Sequence, residues 1–133
     1  LKDEQRRLTV LVVEDHPVNQ KLVVTLLQRW GHAVDVASNG HEGVMKFAPG
    51  RYDLILMDMQ MPVMDGLEAT RRIRVMESGV DEGHTPIVAM TANAMQGDRD
   101  ACIAAGMDDY LSKPVKSQQL MEYLARLGAT AKQ

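Results

Sequence analysis

Leu54-Ile55-Leu56-Met57 (LILM) is followed directly by Asp58. Four consecutive apolar residues are typical of a strand buried on both faces, as strands are in a parallel sheet that helices cover. A carboxylate that ends such a strand lies at the edge where open parallel sheets bind their ligands. This stretch therefore predicts a parallel sheet and a candidate site at one edge of it.

The rest of the chain repeats this unit. Short β-branched or leucine-rich runs alternate with longer stretches of helical period, the pattern of β-α units that feed a parallel sheet. The predicted strands are residues 10–13, 33–37, 53–57, 86–90 and 109–111. The predicted helices are residues 17–30, from 38 or 39 to 47, 64–76, 94–105 and 115–127. We therefore expect an α/β fold with a doubly wound, five-stranded parallel sheet.

Length and composition set limits on function. A chain of 133 residues is long enough for one domain, which we place at 9–127 between a linker at 1–8 and a tail at 128–133. A net charge of -3 gives no basic field for nucleic acid, and the apolar runs fall short of the roughly 20 residues that span a bilayer. Cys102, the only cysteine, is expected to be a small buried hydrophobe in a reducing compartment.

Reactive side chains follow four of the five predicted strands. Three carboxylates placed together repel one another unless a cation lies between them, and oxygen ligands suit Mg²⁺ or Mn²⁺. A carboxylate beside a metal and a lysine can attack phosphorus, which makes Asp58 the candidate nucleophile. Each residue alone has a simpler interpretation, as a helix cap, a turn residue or a solvated charge, so the hypothesis depends on their coincidence. They are Glu14, Asp15, Asp58, Thr91, Ala92 and Lys113.

These residues lie in motifs whose order and spacing resemble those of response-regulator receiver domains. The resemblance runs from about residue 9 to 127 and implies a flavodoxin-like sheet of order 2-1-3-4-5. The matching segments are Glu14-Asp15, the block MDMQMPVMDG at 57–66, Met90-Thr91-Ala92 and Lys113-Pro114.

The resemblance assigns roles to the acidic residues. It implies that Asp58 is the phosphoacceptor. It also implies that Asp15, Asp58 and the backbone carbonyl of Gln60 ligate Mg²⁺, with Glu14 supporting the ion through water. Within this interpretation the domain is not a conventional enzyme, although it promotes its own phosphorylation and dephosphorylation.

The resemblance also assigns roles around the phosphoryl group. Lys113 would pair with one phosphoryl oxygen, and Thr91 would hydrogen-bond another with the Ala92 amide nearby. Tyr110 would be the switch aromatic that turns inward when Thr91 moves. A cis peptide bond between Lys113 and Pro114 is implied as well.

Gln60 and Asn93 would flank the path of the hydrolytic water and tune the lifetime of the phosphoryl group. Gln60 also argues against a phosphatase of the haloacid dehalogenase type. The motif of that class is Asp-x-Asp, in which the second aspartate is the general acid, and Gln60 stands at that second position here. A flavodoxin-like cofactor binder is disfavoured by Glu14 and Asp15, since acidic residues repel a bound phosphate when no metal intervenes.

Two further segments resemble the receiver modules of hybrid sensor histidine kinases. They are Pro17-Val18-Asn19-Gln20 and the segment at 86–95. The alternatives are a stand-alone regulator or the receiver of a transcription factor. The expected partner is a histidine kinase or a histidine phosphotransfer domain that docks near Val18, Leu22, Pro114 and Val115. We expect a cytoplasmic domain, either free or tethered through a membrane-bound sensor kinase.

Overall fold

Strands and helices alternate along the part of the chain that the computed structural model describes, residues 7–79, 84–92 and 96–131, with backbone alone for 96–98 and 127–131. The strands are β1 (Thr9–Val13), β2 (Ala33–Ala37), β3 (Leu54–Asp58), β4 (Ile87–Thr91) and β5 (Asp109–Ser112). The helices are α1 (Pro17–Arg29), α2 (Gly40–Lys46), α3 (Gly66–Glu77), α4 (Gln96–Ala105) and α5 (Ser117–Ala131). None of these helices has the length and apolar character that a bilayer span requires.

The five strands form one parallel sheet in the order β2-β1-β3-β4-β5, which confirms the predicted order 2-1-3-4-5. Val10 of β1 pairs with Val34 of β2 on one side and with Leu54 of β3 on the other. The order therefore reverses between β1 and β3. A crevice opens at such a reversal, beyond the carboxyl ends of the two strands.

Alternate residues of each strand pack into two separate cores, one on each face of the sheet. This follows from the two-residue period of a strand, and both faces are apolar because helices cover both. On one face, α1 and α5 pack on a cluster that includes Val10, Val12, Leu54, Leu56, Val88, Leu120 and Leu124. On the other, residues of α3 and α4 join a cluster that includes Leu11, Val13, Ile55, Met57, Ala69, Ile73 and Cys102.

Most helix boundaries differ from the predictions by one or two residues, and the starts of α3 and α5 and the end of α5 differ by two or more. α3 begins at Gly66 rather than 64, because the side chain of Asp65 accepts a hydrogen bond from Glu68 N and caps the helix. α5 begins at Ser117 rather than 115, because its first turn closes with a hydrogen bond of 3.1 Å from Leu120 N to Lys116 O, and it continues to Ala131 rather than 127. The predicted start of α4 at 94 lies outside the described residues.

The loop between β3 and α3 is held tightly at both ends. A Cβ atom on Gly40 would overlap the carbonyl oxygen of Met64, and one on Gly66 would overlap that of Asp58, so only glycine allows these approaches. Between them, Val63 has a φ of 72°, which is rare for a β-branched residue. Met64 N donates a hydrogen bond of 2.8 Å to Pro62 O across this residue.

A second polar cluster lies at the opposite edge of the sheet, around Arg74 of α3. Its Nε donates to Gly106 O at 2.9 Å, and one Nη donates to Asp108 at 2.8 Å. The other Nη donates to Glu77 at 2.6 Å and to Thr85 O at 2.9 Å. We call these five residues the arginine network. It ties α3 to the segments that lead into β4 and β5.

Candidate functional site

A cleft of about 220 Å³ opens at the carboxyl edge of the sheet, above β1 and β3. It forms there because the loops that follow β1, β3, β4 and β5 all converge at the point where the strand order reverses. Of the predicted site residues that the structure describes, all but Tyr110 line it. The lining residues are Glu14, Asp15, His16, Asn19, Asp58, Met59, Gln60, Met90, Thr91, Ala92 and Lys113.

Glu14 is fully buried at the end of β1, whereas Asp15 is exposed. A buried carboxylate is stable only when hydrogen bonds or charges compensate it. Glu14 Oε2 accepts a hydrogen bond of 3.0 Å from His16 N, and Glu14 Oε1 lies 3.2 Å from Lys113 Nζ. Gln20 of α1 donates to the Glu14 backbone carbonyl at 2.9 Å, which fixes the β1–α1 turn.

Asp58 is 3% exposed and shares the ammonium of Lys113 with Glu14. Lys113 Nζ donates to Asp58 Oδ1 at 2.8 Å. Burial, with the negative charge of Glu14, raises the pKa of Asp58 to about 6, although Lys113 opposes the shift. Burial disfavours charge on Lys113 too, but its contacts with Asp58 and Glu14 outweigh this effect and raise its pKa. The lysine is therefore a cation throughout the physiological range.

The carboxylates fit a metal ion. One oxygen from each of Glu14, Asp15 and Asp58 lies within 4.8 Å of the others. Lys113 supplies one positive charge against three negative ones, so a divalent cation would relieve the repulsion that remains. All the donors are oxygen atoms, which is the ligand type that Mg²⁺ and Mn²⁺ prefer. The predicted cluster is thus brought together and could bind such an ion.

Thr91 and Tyr110 lie on the same face of the sheet. Tyr110 pairs with Ala89 and Ser112 pairs with Thr91, so the two-residue period of a strand puts Tyr110 and Thr91 on one side as diagonal neighbours. Thr91 is buried at the floor of the cleft, and the exposed Ala92 lies at its rim. Tyr110 is half-buried and lies outside the cleft.

The loop after Asp58 carries the remaining predicted residues. Gln60 is exposed, and its backbone N–H lies 3.5 Å from Asp58 Oδ1. Asn93 lies outside the described residues. Below the loop, Sγ of the buried Cys102 lies 3.2 Å from Sδ of Met59, which agrees with the expected burial of this cysteine. The peptide bond between Lys113 and Pro114 is cis, as the resemblance implied.

Sequence reasoning missed the lining residues Asn19 and His16 as parts of the cleft. His16 is the N-cap of α1, but its side chain makes no capping hydrogen bond. Helical periodicity counted from Pro17 would have placed Asn19 in the first turn of α1, close to the β1 end. The signal was present, but the amide there had no assigned chemistry.

Comparison with known proteins gives one family. A family model described as the response regulator receiver domain matches residues 10–125. Hybrid signal transduction histidine kinase I of Dictyostelium discoideum is 42% identical over 120 residues, which cover 86% of this chain. The match spans only 7% of that kinase.

Two solved structures are similar over nearly their whole length. The receiver domain of sensor histidine kinase PA1611 from Pseudomonas aeruginosa PAO1, which has a magnesium ion in its active site cleft, has a TM-score of 0.80 and 43% identity. That match covers 93% of this chain and 99% of the other. The receiver domain of Saccharomyces cerevisiae Ssk1, solved with the histidine phosphotransfer protein Ypd1, has a TM-score of 0.87 and 33% identity, with coverages of 96% and 92%.

Proposed function

The chain belongs to the response regulator receiver domain family, and from this membership we propose that Asp58 accepts a phosphoryl group from a phosphohistidine. The observation that carries the proposal is the contact between Asp58 and Lys113 inside an acidic cleft. A buried carboxylate whose charge is balanced by a lysine can act as a nucleophile when a second cation screens the incoming phosphate. The domain would then act as a phosphorylation switch in a two-component or phosphorelay system.

The transfer exchanges one bond to phosphorus for another. A carboxylate oxygen of Asp58 forms the new O–P bond while the P–N bond of the phosphohistidine breaks. The imidazole leaves with the electron pair of that bond, and Asp58 becomes an acyl phosphate. Lys113, released from Asp58 Oδ1, pairs with a phosphoryl oxygen, and Thr91 with the Ala92 amide contacts another.

Mg²⁺, or Mn²⁺ in its place, would be held by Asp15, Asp58 and the backbone carbonyl of Gln60, with Glu14 behind it. When bound, the ion supplies charge neutralisation for the phosphoryl oxygens. The buried Glu14 contributes by fixing Lys113 through their 3.2 Å contact. Proximity of the three carboxylates supports this ligand set.

Phosphorylation would act on the surface formed by α4, β5 and α5 through Thr91 and Tyr110. When Thr91 hydrogen-bonds a phosphoryl oxygen, the space on the face of the sheet that Thr91 shares with Tyr110 changes. Tyr110 then turns inward, and the populations of the two surface states shift.

Intact mass spectrometry with acetyl phosphate tests the phosphoacceptor. We expect one phosphoryl adduct that requires Mg²⁺ and is lost in Asp58→Asn. Asp53→Asn, just before β3, is the matched control, because Asn keeps an acceptor for the hydrogen bond that Asp53 receives from Thr9 N. An adduct that persists in Asp58→Asn would place the reaction on another residue.

A phosphotransfer domain would dock beside the cleft on α1. Val18 is 69% exposed and Leu22 is 39% exposed, so both can contact a partner. Val115 was expected on this surface but is buried, whereas Pro114 beside it is exposed. Val18→Asp should slow transfer from a phosphorylated phosphotransfer domain at least tenfold but leave acetyl phosphate labelling unchanged. Val75→Asp, at a similarly exposed valine of α3, is the control. Equal rates of transfer to Val18→Asp and Val75→Asp would reject this surface.

We propose a hybrid sensor histidine kinase as the parent protein, in which residues 9–127 form the receiver between a linker at 1–8 and a tail at 128–133. The 42% identity to a hybrid kinase supports this context. A stand-alone regulator and the receiver of a transcription factor are the alternatives. A cytoplasmic location, no nucleic-acid contact and no membrane contact by this domain belong to the same proposal. Sequencing the full-length gene would decide between the three architectures.

The resemblance to receiver domains assigns Gln60 and Asn93 a role in tuning the lifetime of the acyl phosphate, and we propose the same role here. Both are uncharged amides. Substitution of either by alanine should change the rate at which the isolated adduct decays, measured by mass spectrometry over time. Unchanged decay in both variants would remove this role.

A further inference from the structure

An arginine of α4 stacks on the proposed switch aromatic. The guanidinium carbon of Arg99 lies over the ring of Tyr110, 5.5 Å from its centroid. This distance is within the range in which a cation is attracted to an aromatic face. Arg99 is exposed, whereas Tyr110 is half-buried and packs against the core to which α3 and α4 contribute.

Both residues border a groove of about 560 Å³ along α4, β5 and α5. Tyr110 therefore has two sets of neighbours. Toward the sheet it shares a face with Thr91, and toward the groove it has Arg99. A ring that turns toward Thr91 has to leave the guanidinium.

We propose that Arg99 is a positioning residue that holds Tyr110 at the groove and opposes its inward turn. The proposal rests on the proposed function, because it takes Tyr110 as the switch. A cation–aromatic contact at an exposed site changes an equilibrium by about two- to fivefold. Arg99 thus biases the switch without locking it, and it sets how much phosphorylation is needed to turn the ring.

The chain contains a matched control for this contact. Arg126 of α5 lies over the ring of Tyr123, 5.0 Å from its centroid. Tyr123 is buried in the core on the other face of the sheet, away from Thr91. Arg126 also lines the same groove as Arg99. Its loss removes a similar contact and the same charge, together with a 3.7 Å ion pair to Asp109, but leaves the contact between Arg99 and Tyr110 in place.

The test measures binding of beryllofluoride, a non-covalent phosphoryl analogue, with Mg²⁺ to the wild type, Arg99→Gln, Arg99→Lys and Arg126→Gln. The second readout is the ring resonance of Tyr110 in tyrosine-labelled protein. We expect Arg99→Gln to bind about two- to fivefold more tightly and to shift the Tyr110 resonance toward its beryllofluoride-bound position before the analogue is added. Arg126→Gln should match the wild type, and Arg99→Lys should fall near it, because an ammonium is also attracted to an aromatic face.

Unchanged or weaker binding by Arg99→Gln, with a normal response of the wild type, would overturn the role of Arg99 and leave the proposed function intact. Equal tightening in Arg99→Gln and Arg126→Gln would assign the effect to surface charge and also overturn it. A wild type that binds no beryllofluoride would reject the proposed function itself.

Discussion

Two buried carboxylates share a single ammonium at the carboxyl edge of the sheet. Glu14 and Asp58 both contact Lys113, so the cluster carries excess negative charge when Asp58 is ionised. The pKa of Asp58, about 6, lies above that of a free aspartate, about 3.9. The stability that protonated Asp58 contributes to the fold is therefore fully present below pH 4 and is lost as the pH rises through 6. At neutral pH without metal, ionised Asp58 destabilises the fold.

Asp58→Asn should accordingly stabilise the metal-free domain at pH 7, by about 1–3 kcal/mol. Urea unfolding in a chelator measures this. Added Mg²⁺ should reverse the order, since it stabilises the wild type by binding its carboxylates and has fewer ligands in the variant. If Mg²⁺ leaves the unfolding midpoint of the wild type where it was, the carboxylates do not form a metal site.

Val63 stores strain in the loop beside the cleft. Its φ of 72° suits glycine, and the side chain is 81% exposed, so little packing is lost when it is removed. Val63→Gly should stabilise the domain by about 1 kcal/mol, since relief of strain exceeds the entropy cost of glycine. Val75→Gly on α3 should instead destabilise it by roughly 0.5 kcal/mol. Thermal unfolding compares the two, and a loss of stability in both would show that Val63 is not strained.

Single residues of the site were predictable because each one follows a predicted strand. Glu14, Asp58 and Lys113 needed only the strand positions and the rule that carboxyl ends converge. Contacts between distant helices carry no such signal. Arg74 meets Gly106 across 32 residues of sequence, and nothing in the local pattern of α3 marks that arginine.

At the scale of elements, the arginine network joins α3 to the segments that lead into β4 and β5, at the edge of the sheet opposite the cleft. Glu77 accepts from Arg74 and from Thr85 N, and Asp108 accepts from Arg74 and Ile87 N. Glu77 is 8% exposed, and its buried carboxylate contacts the guanidinium of Arg74 at 2.6 Å. The network therefore fixes where β4 begins relative to α3.

Arg74→Met should cost about 3 kcal/mol of unfolding free energy, because it leaves a buried carboxylate without its cation. Arg72→Met is the control: Arg72 pairs with Glu68 at 3.0 Å on the exposed face of α3, and its loss should cost no more than about 0.5 kcal/mol. Chemical denaturation measures both. Adding Glu77→Gln to Arg74→Met should restore part of the loss, and similar costs for the two arginine variants would contradict this account.

Elements with clear periodicity were predicted closely, and their ends less so. β2 spans Ala33–Ala37 as predicted. The start of α3 was wrong, since a side-chain cap at Asp65 overrides the apolar pattern that begins at Met64. Glu77 and Thr85 are both buried, and they are held by hydrogen bonds to Arg74 and to each other that no local sequence pattern marks.

At the scale of the whole molecule, the same five strands contribute residues to both cores. We therefore expect the two cores to unfold together. Trp30, the only tryptophan, packs on the α1–α5 side, while far-UV circular dichroism reports on all helices. Urea unfolding followed by Trp30 fluorescence and by circular dichroism should give coincident midpoints. Saturating Mg²⁺ should shift both equally. Midpoints that separate would mean that the two faces of the sheet are independent units.

Cys102, whose sulfur contacts that of Met59, can serve as a natural reporter of local opening in this domain. A thiol 1% exposed reacts with alkylating reagents only when the structure around it opens. Met59 follows Asp58 directly, so one side chain separates the candidate phosphoacceptor from this thiol. The labelling half-life of the native sequence therefore measures how often the structure around Cys102 opens, with no fluorophore and no engineered cysteine.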